Sequence, residues 1–241
     1  MKRLLGRAEV LDTLTSFLDG GHTVLVYGPV GIGKSSLIRA LQQDAESRGI
    51  PCGVSPKTEA LTDLTMALAR AYPRVDATSG PMRHIRARLR NAVEHEPCML
   101  FLDDLRETGT AFKGALKSLR GTGAGVLLAA DVEKARDHAS VRGLHLAYRE
   151  MELAPLHGTT MRTLLKSACA AADLPFPLLD EDLRSLVVAS DGLPGRAIWF
   201  VEALKNSAAW RNGRPRCVWL RTEAIIAAAE KYRRAIPSVA P

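Results

Sequence analysis

Short, wholly apolar runs alternate along this chain with segments whose apolar positions recur every three or four residues. Thr23-Val24-Leu25-Val26-Tyr27, Cys98-Met99-Leu100-Phe101-Leu102 and Gly125-Val126-Leu127-Leu128-Ala129-Ala130 are continuous runs of strand length, the pattern of strands buried on both faces of a parallel sheet. Gly49 to Ser55 predicts a further short strand and Glu150 to Leu156 another. Between them, Leu64, Leu68 and Tyr72 mark a helix over Thr62 to Tyr72, and Ile85, Leu89 and Val93 mark one over Met82 to His95. Strand and helix alternating at this pitch predict an α/β fold with helices on both faces and ligands at the carboxyl ends of the strands.

From about Gly158 the pattern changes to mostly helix: Thr160 to Ala172, Asp180 to Ser190 and Pro194 to Ala209. A basic stretch, Arg211-Asn212-Gly213-Arg214-Pro215-Arg216, then reads as a linker. It precedes a strand candidate, Cys217-Val218-Trp219-Leu220, and a helix from Thr222 to about Arg234. The division expected is therefore an α/β core over 1–156, a small helical lid over 157–210, and linker, strand and helix over 211–241.

The chemistry is concentrated where the first strand ends. Gly28-Pro29-Val30-Gly31-Ile32-Gly33-Lys34-Ser35, with Ser36 opening the helical pattern, has the spacing G-x-x-x-x-G-K-[ST] between a strand and a helix. This is a P-loop: the glycines turn backbone N–H groups toward phosphate oxygens, Lys34 neutralises the β and γ phosphates, and Ser35 holds Mg²⁺. The helix N-terminus adds its dipole. Leu102-Asp103-Asp104 supplies the matching apolar run followed by acids, the Walker B arrangement. Asp103 is expected to hold Mg²⁺ and Asp104 to orient the attacking water. A glutamate is more usual at the second position, and the shorter aspartate predicts slow hydrolysis. Asp131, ending the next apolar run, would repel phosphate unless paired; the reading adopted is that it caps Val132 to Arg136.

Composition narrows the picture less. The 241 residues, 46% hydrophobic and 24% charged, describe a soluble globular protein. No apolar run approaches the ~20 residues that cross a bilayer, and Met1-Lys2-Arg3-Leu4-Leu5 meets Gly6-Arg7 before a signal core can form. A cytoplasmic location without membrane association is expected. Cys52, Cys98, Cys169 and Cys217 show neither paired nor zinc spacing and are expected to be reduced and mostly buried. The net charge of +7 inclines toward a polyanionic partner. On the Met82 to His95 helix, Arg83, Arg86 and Arg90 fall on one face at i, i+3 and i+7. Such a stripe tracks phosphates without reading bases; its alternative is a solvated face balanced by Glu94 and Glu96.

The order of these motifs resembles the AAA+ ATPases, in the branch of origin-recognition, STAND and transposition-regulator proteins. Besides the P-loop and Asp103-Asp104, the resemblance rests on Leu5-Gly6-Arg7-Ala8-Glu9-Val10-Leu11, Met151-Glu152-Leu153-Ala154-Pro155-Leu156 and Gly192-Leu193-Pro194-Gly195-Arg196. It implies a sheet of order 5-1-4-3-2, a lid after it, and ATP bound between subunits. Arg196 then matches the sensor that reaches the γ-phosphate, and either Arg149 or Arg142 the arginine finger given to a neighbour. The layout through the tail is most similar to the compact TnsC/TniB transposition regulators. That likeness implies an ATP- and Mg²⁺-dependent homo-oligomer, a ring or filament on double-stranded DNA, with Lys57 and the Arg83, Arg86, Arg90 stripe facing the DNA and a transposase or target selector as partner. Two alternatives remain: a STAND-like switch controlling protein partners, and a helicase-loader-like ATPase. A small-metabolite kinase is disfavoured, because Gly192 to Arg196 stands in place of an arginine-rich phosphate clamp.

Overall fold

The structure, a computed structural model, describes residues 4–106, 108–132 and 148–235. Its contacts divide the chain into two units, residues 1–29 with 34–153, and residues 30–33 with 154–241.

The first unit contains, in order, α1 (Ala8–Asp19), β1 (Thr23–Tyr27), α2 (Lys34–Ser47), β2 (Cys52–Ser55), α3 (Leu61–Ala71), α4 (Met82–His95), β3 (Met99–Leu102), α5 (Thr110–Leu119), β4 (Gly125–Ala130) and β5 (Arg149–Glu152). The five strands form one sheet of order β2-β3-β4-β1-β5, parallel at every pairing. This is the order that the motif layout implied. β3 and β4 are buried at every residue, as continuous apolar runs require in a sheet covered on both faces.

Side chains alternate across the sheet. Leu25, Leu100, Leu102, Val126 and Leu128 share one hydrophobic cluster with Leu64, Leu89, Phe112 and Leu116 from α3, α4 and α5. At the alternate register Gly125 meets α1, where an added Cβ would lie 2.4 Å from the Leu18 carbonyl oxygen. Gly53 is closer still to its neighbouring helix: a Cβ there would fall 1.8 Å from the Ala67 carbonyl oxygen of α3. β5 is shorter than Glu150 to Leu156 suggests. Leu153 N–H still donates to Tyr27 O at 2.9 Å, but Pro155 has no N–H with which to continue a ladder. β5 occupies a sheet edge, and its residues Arg149, Glu150 and Glu152 are exposed.

The second unit contains α6 (Gly158–Ala170), α7 (Asp180–Ala189), α8 (Pro194–Leu204), a 3₁₀ turn (Ser207–Ala209), the strands β6 (Trp210–Arg211) and β7 (Arg214–Pro215), and α9 (Cys217–Ala235). Met161, Leu165, Leu186, Phe200, Leu204 and Leu220 form its core. Trp210 Nε1–H donates to Leu204 O at 2.7 Å inside it.

Three expectations fail in this unit. Residues 217–220 are the first turn of α9 and not a strand: Leu220 and Ala224 are buried while Val218 is exposed, a helical repeat that the four-residue apolar run conceals. The stretch from Arg211 to Arg216 is no linker but closes the antiparallel pair β6 and β7. Its turn residues Asn212 and Gly213 both have positive φ, 52° and 69°, the conformation that an Asn-Gly hairpin turn demands. The helix from Pro194 stops at Leu204, and Asn206 caps the following 3₁₀ turn through Ala208 N–H. The cysteines are free, as expected, but only Cys98 is buried, the other three being half-buried.

Burial pushes the Cys98 thiol up to about 11 from 9.0. Burial likewise raises the phenol of neighbouring Tyr72, which donates to Glu96 O. The folded chain therefore holds protons that the unfolded chain releases, so stability falls as pH rises. Denaturant midpoints should drop between pH 9 and 11, and Cys98→Ala should reduce the drop. Gly53→Ala should cost about 3 kcal/mol in the same unfolding assay, since backbone of α3 must move to admit one methyl group.

Candidate functional site

Between the end of β1 and the start of α2 lie the six residues Gly28 to Gly33. Gly28, Gly31 and Gly33 have φ of 152°, 82° and 106°, values that only glycine adopts without strain. Lys34 opens that helix with 6% of its surface exposed. Its ammonium donates to Gly28 O at 2.6 Å and Pro29 O at 3.0 Å, and pairs with Asp131 Oδ1 at 2.6 Å. Asp131 follows β4, and β4 is the direct neighbour of β1, so sheet order alone brings the two charges together. The expected cap over 132–136 runs into residues outside those described; what the structure gives Asp131 instead is Lys34.

Asp103 and Asp104 follow β3, on the other side of β4. Asp103 N–H donates to Ser55 O at 2.8 Å, and Asp103 Oδ1 accepts from Asp104 N–H at 2.9 Å. Asp104 has φ 44°, a left-handed conformation in which aspartate is among the better tolerated residues. Its carboxylate accepts from Arg106 Nε at 3.2 Å and Arg106 Nη2 at 2.8 Å. Arg106 also faces Glu59 at 3.5 Å. The hydrogen bond that Arg106 donates to Asp104, followed by the charges of Asp104, Glu59 and Asp131, holds the guanidinium proton more tightly than usual. Backbone pairing continues past the strands here: Leu105 N–H donates to Ala129 O and Arg106 N–H to Thr58 O.

Lys34, Asp103, Asp104 and Asp131 thus gather at the carboxyl ends of β1, β3 and β4. Sequence reading missed Arg106, although its place two residues after Asp104 was the available signal. For Mg²⁺ the fit is chemical: Asp103 offers a carboxylate and Ser35, exposed in the first turn of α2, a hydroxyl, both hard oxygen donors. Among the described residues no group of three or more His, Cys, Asp or Glu could hold a metal ion. Mg²⁺ commonly takes one or two carboxylates and draws its other ligands from phosphate and water; Ser35 and Asp103 would be its protein ligands here.

The expected arginines are placed as follows. Arg149 starts β5 opposite Val24, and its guanidinium lies over the Phe17 ring, 4.4 Å from the centroid. Arg142 lies outside the described residues. In the second unit Arg196, on the first turn of α8, pairs with Asp191, which Arg221 also contacts at 3.1 Å. Within that unit Gly195 N–H donates to Gly31 O at 2.7 Å.

Of the candidate DNA contacts, Lys57 pairs with Glu59 at 2.8 Å and Arg90 with Glu94 at 2.9 Å. Arg83 is exposed and Arg86 half-buried on α4. Among the described residues no carboxylate pairs with either.

Residues 3–128 match the sequence model of the AAA ATPase domain. No curated protein matches the chain. Among solved structures, the Walker-type ATPase PABY2304 of Pyrococcus abyssi superposes with a TM-score of 0.63 at 19% identity, over 97% of this chain and 77% of that one. Cdc6p from Pyrobaculum aerophilum gives 0.63 at 17%, over 96% and 68%. The ORC1 protein of Aeropyrum pernix, solved in complex with DNA, gives 0.57 at 17%, over 99% and 70%. At these identities the superpositions speak for the fold, a P-loop parallel sheet shared with these proteins. The sequence match covers more than half of the chain, which therefore belongs to the AAA ATPase domain family.

Proposed function

We propose that this chain is an ATP-hydrolysing AAA+ regulator that binds duplex DNA without sequence specificity as a homo-oligomer and recruits a partner protein, as in target selection for transposition. The observation that carries the enzymatic part is that Lys34, Asp103 and Asp104 all lie at the carboxyl ends of β1 and β3, which flank β4. Lys34 binds the β and γ phosphates; Ser35 and Asp103 would hold Mg²⁺, which when bound would supply positive charge against the phosphoryl oxygens. Asp104 orients the attacking water and accepts its proton. To do so its carboxylate must part from Arg106, which together with the short aspartate arm keeps turnover below ~10 per second, the median for enzymes.

The DNA part rests on α4. Its buried face, Ile85, Leu89 and Val93, fixes the opposite face outward, and Arg83 and Arg86 on the polar side are free of carboxylates among the described residues. That the Aeropyrum pernix ORC1 protein, similar in fold, was solved with DNA supports the reading. Arg90 and Lys57 would first have to leave Glu94 and Glu59, so they contribute less than Arg83 and Arg86.

Lys34→Ala should abolish most ATP binding in a fluorescent-nucleotide titration. Asp104→Asn should bind ATP normally and hydrolyse it at least about a hundredfold more slowly, the scale of losing a general base; normal hydrolysis would remove Asp104 from that role.

Anisotropy of a labelled random-sequence duplex should show ATP-dependent binding that weakens with salt and is lost in Arg83→Ala/Arg86→Ala. Absence of binding in every nucleotide state would leave the switch acting on protein partners as the better account.

A further inference from the structure

A lysine ammonium has three protons to donate, and in this structure all three of Lys34 are engaged. Two go to loop carbonyls, Gly28 O at 2.6 Å and Pro29 O at 3.0 Å. The third goes to the Asp131 carboxylate at 2.6 Å. The Lys34 side chain is 6% exposed and that of Asp131 24%, so Asp131 is the member of the pair nearer solvent. A phosphate oxygen can reach Lys34 only by taking over one of these three contacts. The carbonyls belong to the loop that shapes the site; the carboxylate is the anionic partner and the one on a separate chain segment.

We infer that Asp131 is a resident competitor for the phosphates: it pairs with Lys34, and nucleotide binds by exchanging one anion for another at the same ammonium. This rests on the reading of Lys34 as the phosphate-binding lysine. The exchange makes Asp131 a determinant of affinity for the polyphosphate portion alone, since adenosine makes no demand on Lys34. It also accounts for a carboxylate at a strand end where it would face the phosphates. Released, Asp131 has a second cation in reach: Leu105 N–H donates to Ala129 O at 2.8 Å, which sets Arg106 beside the end of β4, and the charge of Asp131 already adds to the hold on the Arg106 proton.

The test is calorimetric titration of the full chain with inorganic tripolyphosphate and with adenosine, both in EDTA so that no metal ligation enters. Asp131→Asn keeps the shape and an oxygen but removes the charge, and a neutral amide contact is roughly half as strong as the charge-assisted one. Tripolyphosphate should bind about tenfold more tightly to this variant, a step of one decade in Kd, while adenosine binding stays unchanged. Asp131→Ser should shift the same way, and covers the case in which the asparagine variant folds poorly by thermal melting. Unchanged or weaker tripolyphosphate binding in the folded variants would overturn the inference. Lys34→Ala separates the two readings: it should lose tripolyphosphate binding in both the native and the Asp131→Asn backgrounds. If it does not, Lys34 is not the phosphate-binding residue, and both the site assignment and the exchange fall together.

Discussion

The constraint on which this structure turns is the nearly buried charge of Lys34. An ammonium withdrawn from water costs several kcal/mol unless hydrogen-bonded and paired, and here two carbonyls and one carboxylate meet the cost. Each depends on a different level of organisation. The carbonyls of Gly28 and Pro29 face back toward Lys34 because glycines permit the turn. Asp131 is present because β4 lies against β1, which requires the chain to cross over after β1 and return two strands later. A sheet order that parted β4 from β1 would leave the lysine without its carboxylate. The apolar strands that flank the site, buried at every position, supply the low-polarity surroundings that make these pairings strong.

The same edge of the sheet carries a second compensated group. Asp104 sits between the amide geometry set by Asp103 and the guanidinium of Arg106. Its left-handed backbone turns the chain so that Leu105 rejoins the sheet through Ala129 O. Anions and cations thus alternate across the strand ends: Lys34 with Asp131, Arg106 with Asp104 and Glu59. With Asp103, four carboxylates stand against two cations at these strand ends, a balance that neither motif taken separately conveys.

What was legible in the sequence follows from how local each signal is. The strands β1, β3 and β4 declare themselves as apolar runs, and the helix faces of α3 and α4 by their period. The P-loop is legible because glycine, lysine and serine at that spacing serve one chemistry. The pairing of Lys34 with Asp131 was not, because ninety-six residues of sequence separate partners that only the crossover brings together. Arg106 escaped notice for the opposite reason: it lies so near Asp104 that its charge reads as ordinary surface. The strand expected at Cys217 to Leu220 shows the limit of four apolar residues, which fit one turn of a helix as well as a strand. The hairpin at Asn212-Gly213 carried its own signal, masked by the basic residues around it.

The outer strand β5 has a consequence for how copies of this chain can meet. A sheet edge presents unpaired N–H and C=O groups, a template for a strand from another molecule. Here that edge is four residues long and displays Arg149, Glu150 and Glu152 to solvent, while the chain that follows soon reaches a proline. Such an edge is a poor partner for backbone ladders. Addition of a strand from another molecule is therefore disfavoured at this edge of the sheet.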